Sequence, residues 1–317
     1  MSTSLPRILA IWIALSPAAA GAVSFTVAPG AAGGAGAACA LGPADVCNSP
    51  ADTTNTTFAL AAFLGLGAGD VVDALSFNEG PPPPPFPPFG AVALRFSVAP
   101  GAAGPGLPGA PDPAAIYRSA GGGTAVLDIS SAALGLAAGD DVSGFENLDT
   151  PVPSPDAIFF SLAPGSPSLG ALFAPGDIFL VLPGGGAFGL FINAESLGLC
   201  TVRSGCGADD NLDAVVVNTD AWVGVGMLPP VIQVGGGLLF SVGPGVIGPG
   251  LPAGTLPGDV LLSLGGGASA LYAGAAALGL AAGDDLDALE IVPEPSGFVL
   301  VALGLLGLGL VRRRREG

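Results

Sequence analysis

Phe25-Thr26-Val27-Ala28-Pro29-Gly30 returns as Phe96-Ser97-Val98-Ala99-Pro100-Gly101, as Phe160-Ser161-Leu162-Ala163-Pro164-Gly165 and as Phe240-Ser241-Val242-Gly243-Pro244-Gly245. A second marker, Leu-Gly-Leu, begins at Leu64, Leu134, Leu197 and Leu278, which lie 39, 38, 37 and 38 residues after the four phenylalanines. Four copies with near-constant internal spacing make this a repeat protein. Between the markers an apolar segment follows a small or acidic residue, as in Asp177-Ile178-Phe179-Leu180 and Asp259-Val260-Leu261-Leu262. A glycine run and a second apolar segment come next. The runs at residues 121–123, 184–186 and 265–267 sit where a strand-to-strand turn needs positive φ, and the first repeat lacks its triplet. After Leu-Gly-Leu comes an acidic strand, such as Asp70-Val71-Val72-Asp73-Ala74-Leu75 or Asp284-Asp285-Leu286-Asp287-Ala288-Leu289.

Each unit therefore offers four short strands, and four-stranded units arranged around an axis make a propeller. Repeats fall near residues 23–69, 70–139, 140–208 and 209–283, with a closing strand at 284–292. Val23 opens on the second strand of a unit and Ile291 ends on the first strand of one, so the two ends together complete a blade and cover an edge. The expected fold is all-β, a four-bladed β-propeller closed by its N- and C-terminal strands. A β-sandwich or a linear β array uses the same strands and stays open at this point.

Composition narrows the function. Residues 23–292 hold three arginines (Arg95, Arg118, Arg203) against 23 carboxyl side chains, a balance of −20. Such a domain repels nucleic acid and anionic lipid and attracts cations or basic partners. There is no histidine, and all eight positive residues are arginine, so lysine is absent too. That removes the commonest general base, metal ligand and Schiff-base former. Ser97, Ser161 and Ser241 belong to the repeat and have no histidine or lysine base, which excludes a hydrolase triad. Adjacent aspartates point to opposite faces of a strand, and no carboxyl pair stands apart from the repeats as a glycosidase would need. The reading is non-enzymatic.

The two ends carry a different message. Residues 1–22 combine Arg7, an apolar stretch and the small-x-small Ala20-Gly21-Ala22, which reads as a signal peptide with mature protein from Val23. At the other end Pro293, Glu294 and Pro295 precede an apolar run at 297–311 and the cluster Arg312, Arg313, Arg314 and Arg315. As a helix the run would measure about 22 Å against a hydrocarbon core of roughly 30 Å, a short single transmembrane span with the arginines on the cytoplasmic side. Residues 293–317 resemble the sorting signal of the PEP-CTERM family. That resemblance implies signal peptidase and exosortase as processing partners and a transient inner-membrane anchor. It implies the cell surface or extracellular matrix of a Gram-negative bacterium as destination, and a role linked to exopolysaccharide or biofilm.

Export also bears on the cysteines. Cys39 with Cys47 and Cys200 with Cys206 form two local pairs, and an oxidising compartment makes disulfides the expected state. Each closes a short loop, worth about 2–3 kcal/mol on the loop-entropy model. Zinc would want closer spacing or histidines.

Candidate sites are few. Asp70, Asp140, Asp141, Asp209, Asp210, Asp284 and Asp285 occupy corresponding places after Leu-Gly-Leu, and a closed ring would gather them near one end of its axis. Calcium (Ca2+) favours such oxygen-rich groups, and no other cofactor is implied. Their competing role is to cap turns by accepting backbone N–H bonds. Asp209-x-Asn211-x-Asp213 starts like an EF-hand loop, but Ala214 stands where that loop needs glycine. Insertions concentrate between the acidic and Phe-Ser-Val strands, at residues 81–88, 150–155 and 219–237, on what would be one face of the ring. The expected function is a structural or adhesive surface protein, with a calcium- or glycan-binding module as the alternative and an extracellular hydrolase behind both.

Overall fold

The computed structural model describes residues 22–31, 42–49, 55–77, 93–148, 157–182, 187–217, 237–246 and 248–292. The signal peptide apart from Ala22, the sorting tail, the insertions at 81–88 and 150–155, nearly all of 219–237, Cys39 and the glycine run at 184–186 lie outside them. Four antiparallel four-stranded sheets account for every strand among the described residues. Blade 1 is built from β1 (Ala22–Thr26), β2 (Val46–Ser49) and β3 (Thr56–Ala59), with β16 (Ala288–Val292) as its first strand. Blade 2 is β4 (Val72–Phe77), β5 (Leu94–Val98), β6 (Ile116–Ser119) and β7 (Val126–Ile129). Blade 3 is β8 (Val142–Leu148), β9 (Ala157–Leu162), β10 (Ile178–Val181) and β11 (Gly189–Ile192). Blade 4 is β12 (Leu212–Val217), β13 (Leu238–Val242), β14 (Val260–Ser263) and β15 (Ser269–Ala273). The first strands β16, β4, β8 and β12 pack on one another around the axis. This is the arrangement of a four-bladed propeller.

Closure decides between the ring and the open alternatives. β16 pairs antiparallel with β1 from Ala22↔Val292 to Thr26↔Ala288, so the N-terminal blade receives its innermost strand from the C-terminal end. A linear array or a pair of sandwiches is thereby excluded.

The Phe-Ser-Val repeat is the joint between blades. Phe25, Phe96, Phe160 and Phe240 are fully buried, each in a separate apolar cluster drawn from two neighbouring blades. The hydroxyl beside them reaches the next blade's inner strand. Thr26 Oγ1 donates to Val72 O at 2.9 Å, Ser97 Oγ to Val142 O at 2.8 Å and Ser241 Oγ to Leu286 O at 2.9 Å. In blade 3 the duty moves to Ser143, whose Oγ donates to Leu212 O at 2.9 Å and lies 3.2 Å from Ser161 Oγ. Gly144 makes room for that exchange, because a Cβ there would press on Ser161 and Val215.

Leu-Gly-Leu ends a one-turn helix that follows the fourth strand of each blade, as at Ala61–Leu64 and Ser131–Leu134. Gly65, Gly135, Gly198 and Gly279 adopt φ of 84°, 76°, 84° and 72°, the left-handed turn that only glycine takes without strain. The leucine before each glycine is buried. A buried aspartate at the third strand holds the start of this helix in three blades. Asp45 Oδ1, Asp177 Oδ1 and Asp259 Oδ1 accept from the N–H of Ala61, Ala194 and Ala275 at 2.6, 2.9 and 2.8 Å. The second oxygen of each accepts the N–H of the residue three positions earlier, Gly42, Ala174 or Leu256. Glycine triplets 121–123 and 265–267 have positive φ throughout and turn the third strand into the fourth.

Two substitutions weigh these joints against each other. Phe240→Ala empties a packed inter-blade site and is expected to cost roughly 3–5 kcal/mol. Ser241→Ala removes one hydroxyl donor and is expected to cost about 1–2 kcal/mol. Denaturant unfolding of both variants checks the order, and an equal or larger loss for Ser241→Ala would show that the seams depend on the hydrogen bond more than on packing.

Candidate functional site

The seven aspartates singled out from the sequence separate into two kinds. Asp70, Asp140, Asp210 and Asp284 sit in the turn between Leu-Gly-Leu and the inner strand, where the chain reverses and leaves backbone N–H groups pointing inward. Asp70 Oδ2 accepts from Gly67 N–H at 2.7 Å, Asp140 Oδ2 from Ala137 at 2.6 Å, Asp210 Oδ2 from Cys200 at 2.6 Å and Asp284 Oδ2 from Ala281 at 2.8 Å. Asp70 Oδ1 also accepts Ala103 N–H, and Asp140 Oδ1 accepts Ser168 N–H, both at 2.8 Å. These carboxylates serve the backbone.

Asp209 is out of step with the others. The residue that corresponds to Asp140 and Asp284 is Asp210, while Asp209 belongs to the inserted loop and accepts Val202 N–H at 2.7 Å. That loop is closed by the Cys200–Cys206 disulfide, with Cα atoms 5.8 Å apart. Thr201 and Ser204 cap its short helix, and Arg203 forks onto Asp177 at 2.7 and 2.9 Å and reaches Glu195 at 3.2 Å. Cys47 is buried and disulfide-bonded.

Asp141 and Asp285 belong to the second kind, one position later and on the opposite side of the chain. There they meet Asp73, Asp213 and Asp287, which the repeat places three positions after the turn aspartate, where blade 3 carries Ser143. Five carboxyl groups thus gather at the end of the axis where the inner strands begin. Asp73 of blade 2 interacts with Asp141 of blade 3, and Asp213 of blade 4 with Asp285 of blade 1.

Burial raises the pKa of all five groups. Burial first, then the charges of Asp141, Asp287 and Asp213, push Asp73 up to about 9. Burial lifts Asp141 to about 6, with the bond from Asp73 acting against the rise. Burial and the charge of Asp285 take Asp287 to about 7. Asp213 is driven well above its ordinary value by burial and then by Asp285 and Asp287, and Asp285 rises by burial while the Leu286 N–H and Asp213 hold it back. No arginine acts on any of them. Arg95 and Arg118 pair with Asp128 at 2.7 and 3.2 Å on blade 2, and Arg203 is engaged at Asp177. Asn211 Nδ2 donates to Asp213 Oδ1, whereas Asn211 Oδ1 and Asp141 Oδ1 are buried oxygens with no hydrogen-bond partner.

The sequence reading missed Asp73, Asp213 and Asp287 because it followed the Asp-Asp doublets. The signal was the fourth residue of each acidic segment, Asp73, Ser143, Asp213 and Asp287, which always precedes a small residue, Ala74, Gly144, Ala214 or Ala288. Among the described residues no group of three or more acidic or cysteine side chains is arranged to hold a metal ion, and nothing in this geometry assigns calcium to the seven aspartates. Nor is any described helix long and apolar enough to cross a membrane, the apolar run at 297–311 lying outside the described residues. No protein-family model matches the chain, and no curated protein is significantly similar to it.

Proposed function

We propose that this chain is an exported, non-enzymatic ring protein, sorted through its C-terminal tail to the cell surface or extracellular matrix, where it is structural or adhesive and associated with exopolysaccharide. The observation that carries this reading is the pairing Ala22↔Val292, which sets the residue before the expected signal-peptidase cut beside the last described residue before Pro293. A cut before Val23 takes only Ala22 from β1, and a cut beyond Val292 takes nothing from any described strand.

The same topology sets an orientation. The inner strands β4, β8, β12 and β16 run in parallel senses around the axis, so the ends of the first three, where the insertions join them to β5, β9 and β13, share a face with the exit at Val292. An anchored ring would hold those insertions toward the membrane and turn its acidic mouth away from anionic lipid, the arrangement that repulsion favours. Exosortase cutting near Glu294 would then free the insertion face for contact with polysaccharide.

Co-expression with an exosortase tests this. The expected product begins at Val23, lacks Arg312 to Arg315 and leaves the membrane fraction, while Glu294→Ala stays full-length behind the signal-peptide cut and remains membrane-bound. Identical processing of both forms, or a full-length chain in the cytosol, would overturn the reading.

A further inference from the structure

The connection between blades 3 and 4 carries seven residues that the other connections lack. From the start of Leu-Gly-Leu to the turn aspartate the distance is six residues at Leu64 to Asp70, Leu134 to Asp140 and Leu278 to Asp284, but thirteen at Leu197 to Asp210. Cys200 and Cys206 both lie in the longer stretch. The turn aspartate still makes its usual bond. Asp210 Oδ2 accepts Cys200 N–H at 2.6 Å, as Asp70, Asp140 and Asp284 accept the N–H three residues before them, and Asp210 N–H returns to Cys200 O at 2.8 Å. The extra residues therefore bud from a turn that is complete without them.

We propose that this bud is a redox-controlled clasp: the Cys200–Cys206 disulfide holds Arg203 on the buried Asp177, and reduction of the disulfide releases Arg203 while the ring stays closed. Inside the bud Cys206 N–H donates to Thr201 O at 3.0 Å, Thr201 and Ser204 cap the short helix, and Asp209 Oδ1 accepts Val202 N–H at 2.7 Å. That fold aims the Arg203 guanidinium at blade 3. Its Nη2 donates to Asp177 Oδ1 at 2.7 Å and to Glu195 Oε2 at 3.2 Å, and its Nη1 to Asp177 Oδ2 at 2.9 Å and to Leu172 O at 2.8 Å. Thr201 Oγ1 adds a bond to Glu195 Oε1. The Asp177 side chain has no exposed surface, so the fork pins a surface loop to the interior of the blade.

Asp177 does not need the arginine. Asp45 and Asp259 make the same pair of backbone bonds in their own blades with no arginine beside them among the described residues. The fork is thus an attachment for the loop, and its strength depends on how often a free loop would carry Arg203 to that place. A staple between residues 200 and 206 restricts the loop and raises that frequency. The coupling is reciprocal: a disulfide that favours the fork is favoured by the fork to the same degree.

A dithiol reductant makes the change. Its thiolate attacks the Sγ of Cys206, which is partly exposed where Cys200 is buried, and Cys200 leaves as a thiolate and takes up a proton. The second thiol of the reductant then displaces Cys206 from the mixed disulfide. One S–S bond is lost in the chain and one forms in the reductant, with two electrons and two protons passing to the cysteines. The clasp is open where dithiols predominate and shut where disulfides form.

Trypsin reads the state of Arg203 directly, because the protease must take the same guanidinium that Asp177 holds. The chain has no lysine, and the other two arginines among the described residues, Arg95 and Arg118, lie in strands β5 and β6. In the purified full-length chain, cleavage after Arg203 is expected to be on the order of tenfold faster once dithiothreitol has been added, with cuts at Arg95 and Arg118 unchanged. The double variant Cys200→Ser, Cys206→Ser is expected to be cut as fast without reductant, which separates this bridge from the disulfide at Cys47. If that variant does not fold, Arg203→Gln decides from the other side. Mass spectrometry of alkylated cysteines in dithiol buffers should find its Cys200–Cys206 bridge about fivefold more easily reduced than in the wild type. One rate of cleavage at Arg203 in both redox states, cuts at Arg95 and Arg118 that rise along with it, or an unchanged reduction equilibrium in Arg203→Gln would overturn the clasp.

Discussion

Everything in this molecule depends on the pairing of β16 with β1. Without it blade 1 would have three strands and an open inner edge, and three other features would lose their second half. Leu286 O receives the Ser241 hydroxyl only when the segment leading into β16 is in place. The apolar cluster containing Val23 and Phe25 is shared with Ala214, Leu239 and Val260 of blade 4 and with Leu286 and Leu289 beside them. The second carboxyl pair forms across that same joint. Ring closure thus brings packing and a hydroxyl bond together at one joint, which is how a chain poor in aromatics and rich in glycine can hold a single closed topology.

Two of the seams carry a backbone clasp. Between blades 1 and 2 the segment Gly104-Pro105-Gly106 lies against Gly65, and Gly106 N–H donates to Gly65 O at 2.9 Å. Between blades 3 and 4 Gly248-Pro249-Gly250 does the same against Gly198, with Gly250 N–H to Gly198 O at 3.0 Å. A Cβ on any of these four loop glycines would collide with the neighbouring backbone. These are the two seams without a carboxyl pair. Among the described residues, these backbone clasps tie blade 1 to blade 2 and blade 3 to blade 4.

The repeat made most of this architecture legible. Constant spacing between Phe-Ser-Val and Leu-Gly-Leu counted the blades, and the phase of the chain ends indicated closure, because strand count and phase are properties of the sequence alone. Leu-Gly-Leu was visible as a marker, but its role as the left-handed end of a one-turn helix was not, since four residues carry too little periodicity to announce a helix. The acidic site was half legible. Asp140 and Asp141 are neighbours in the chain, yet one faces backbone N–H groups in its own blade and the other faces a carboxyl from the blade before. That distinction depends on which residue lies across a seam, and only the closed ring supplies it.

The division of the aspartates also explains how so acidic a domain can be compact. A carboxylate that accepts backbone N–H bonds, as Asp45, Asp70 and Asp259 do, is compensated locally by peptide dipoles and needs no lysine. One that is buried among other carboxyls has its pKa raised by burial and like charge, as at Asp73 and Asp213. The chain uses both devices and almost no ion pairs: among the described residues its three arginines are engaged by Asp128, Asp177 and Glu195, away from the axis. With no lysine in the chain, the carboxyl groups of Asp73, Asp141, Asp213, Asp285 and Asp287 come together at the end of the axis where the inner strands begin with no described arginine beside them.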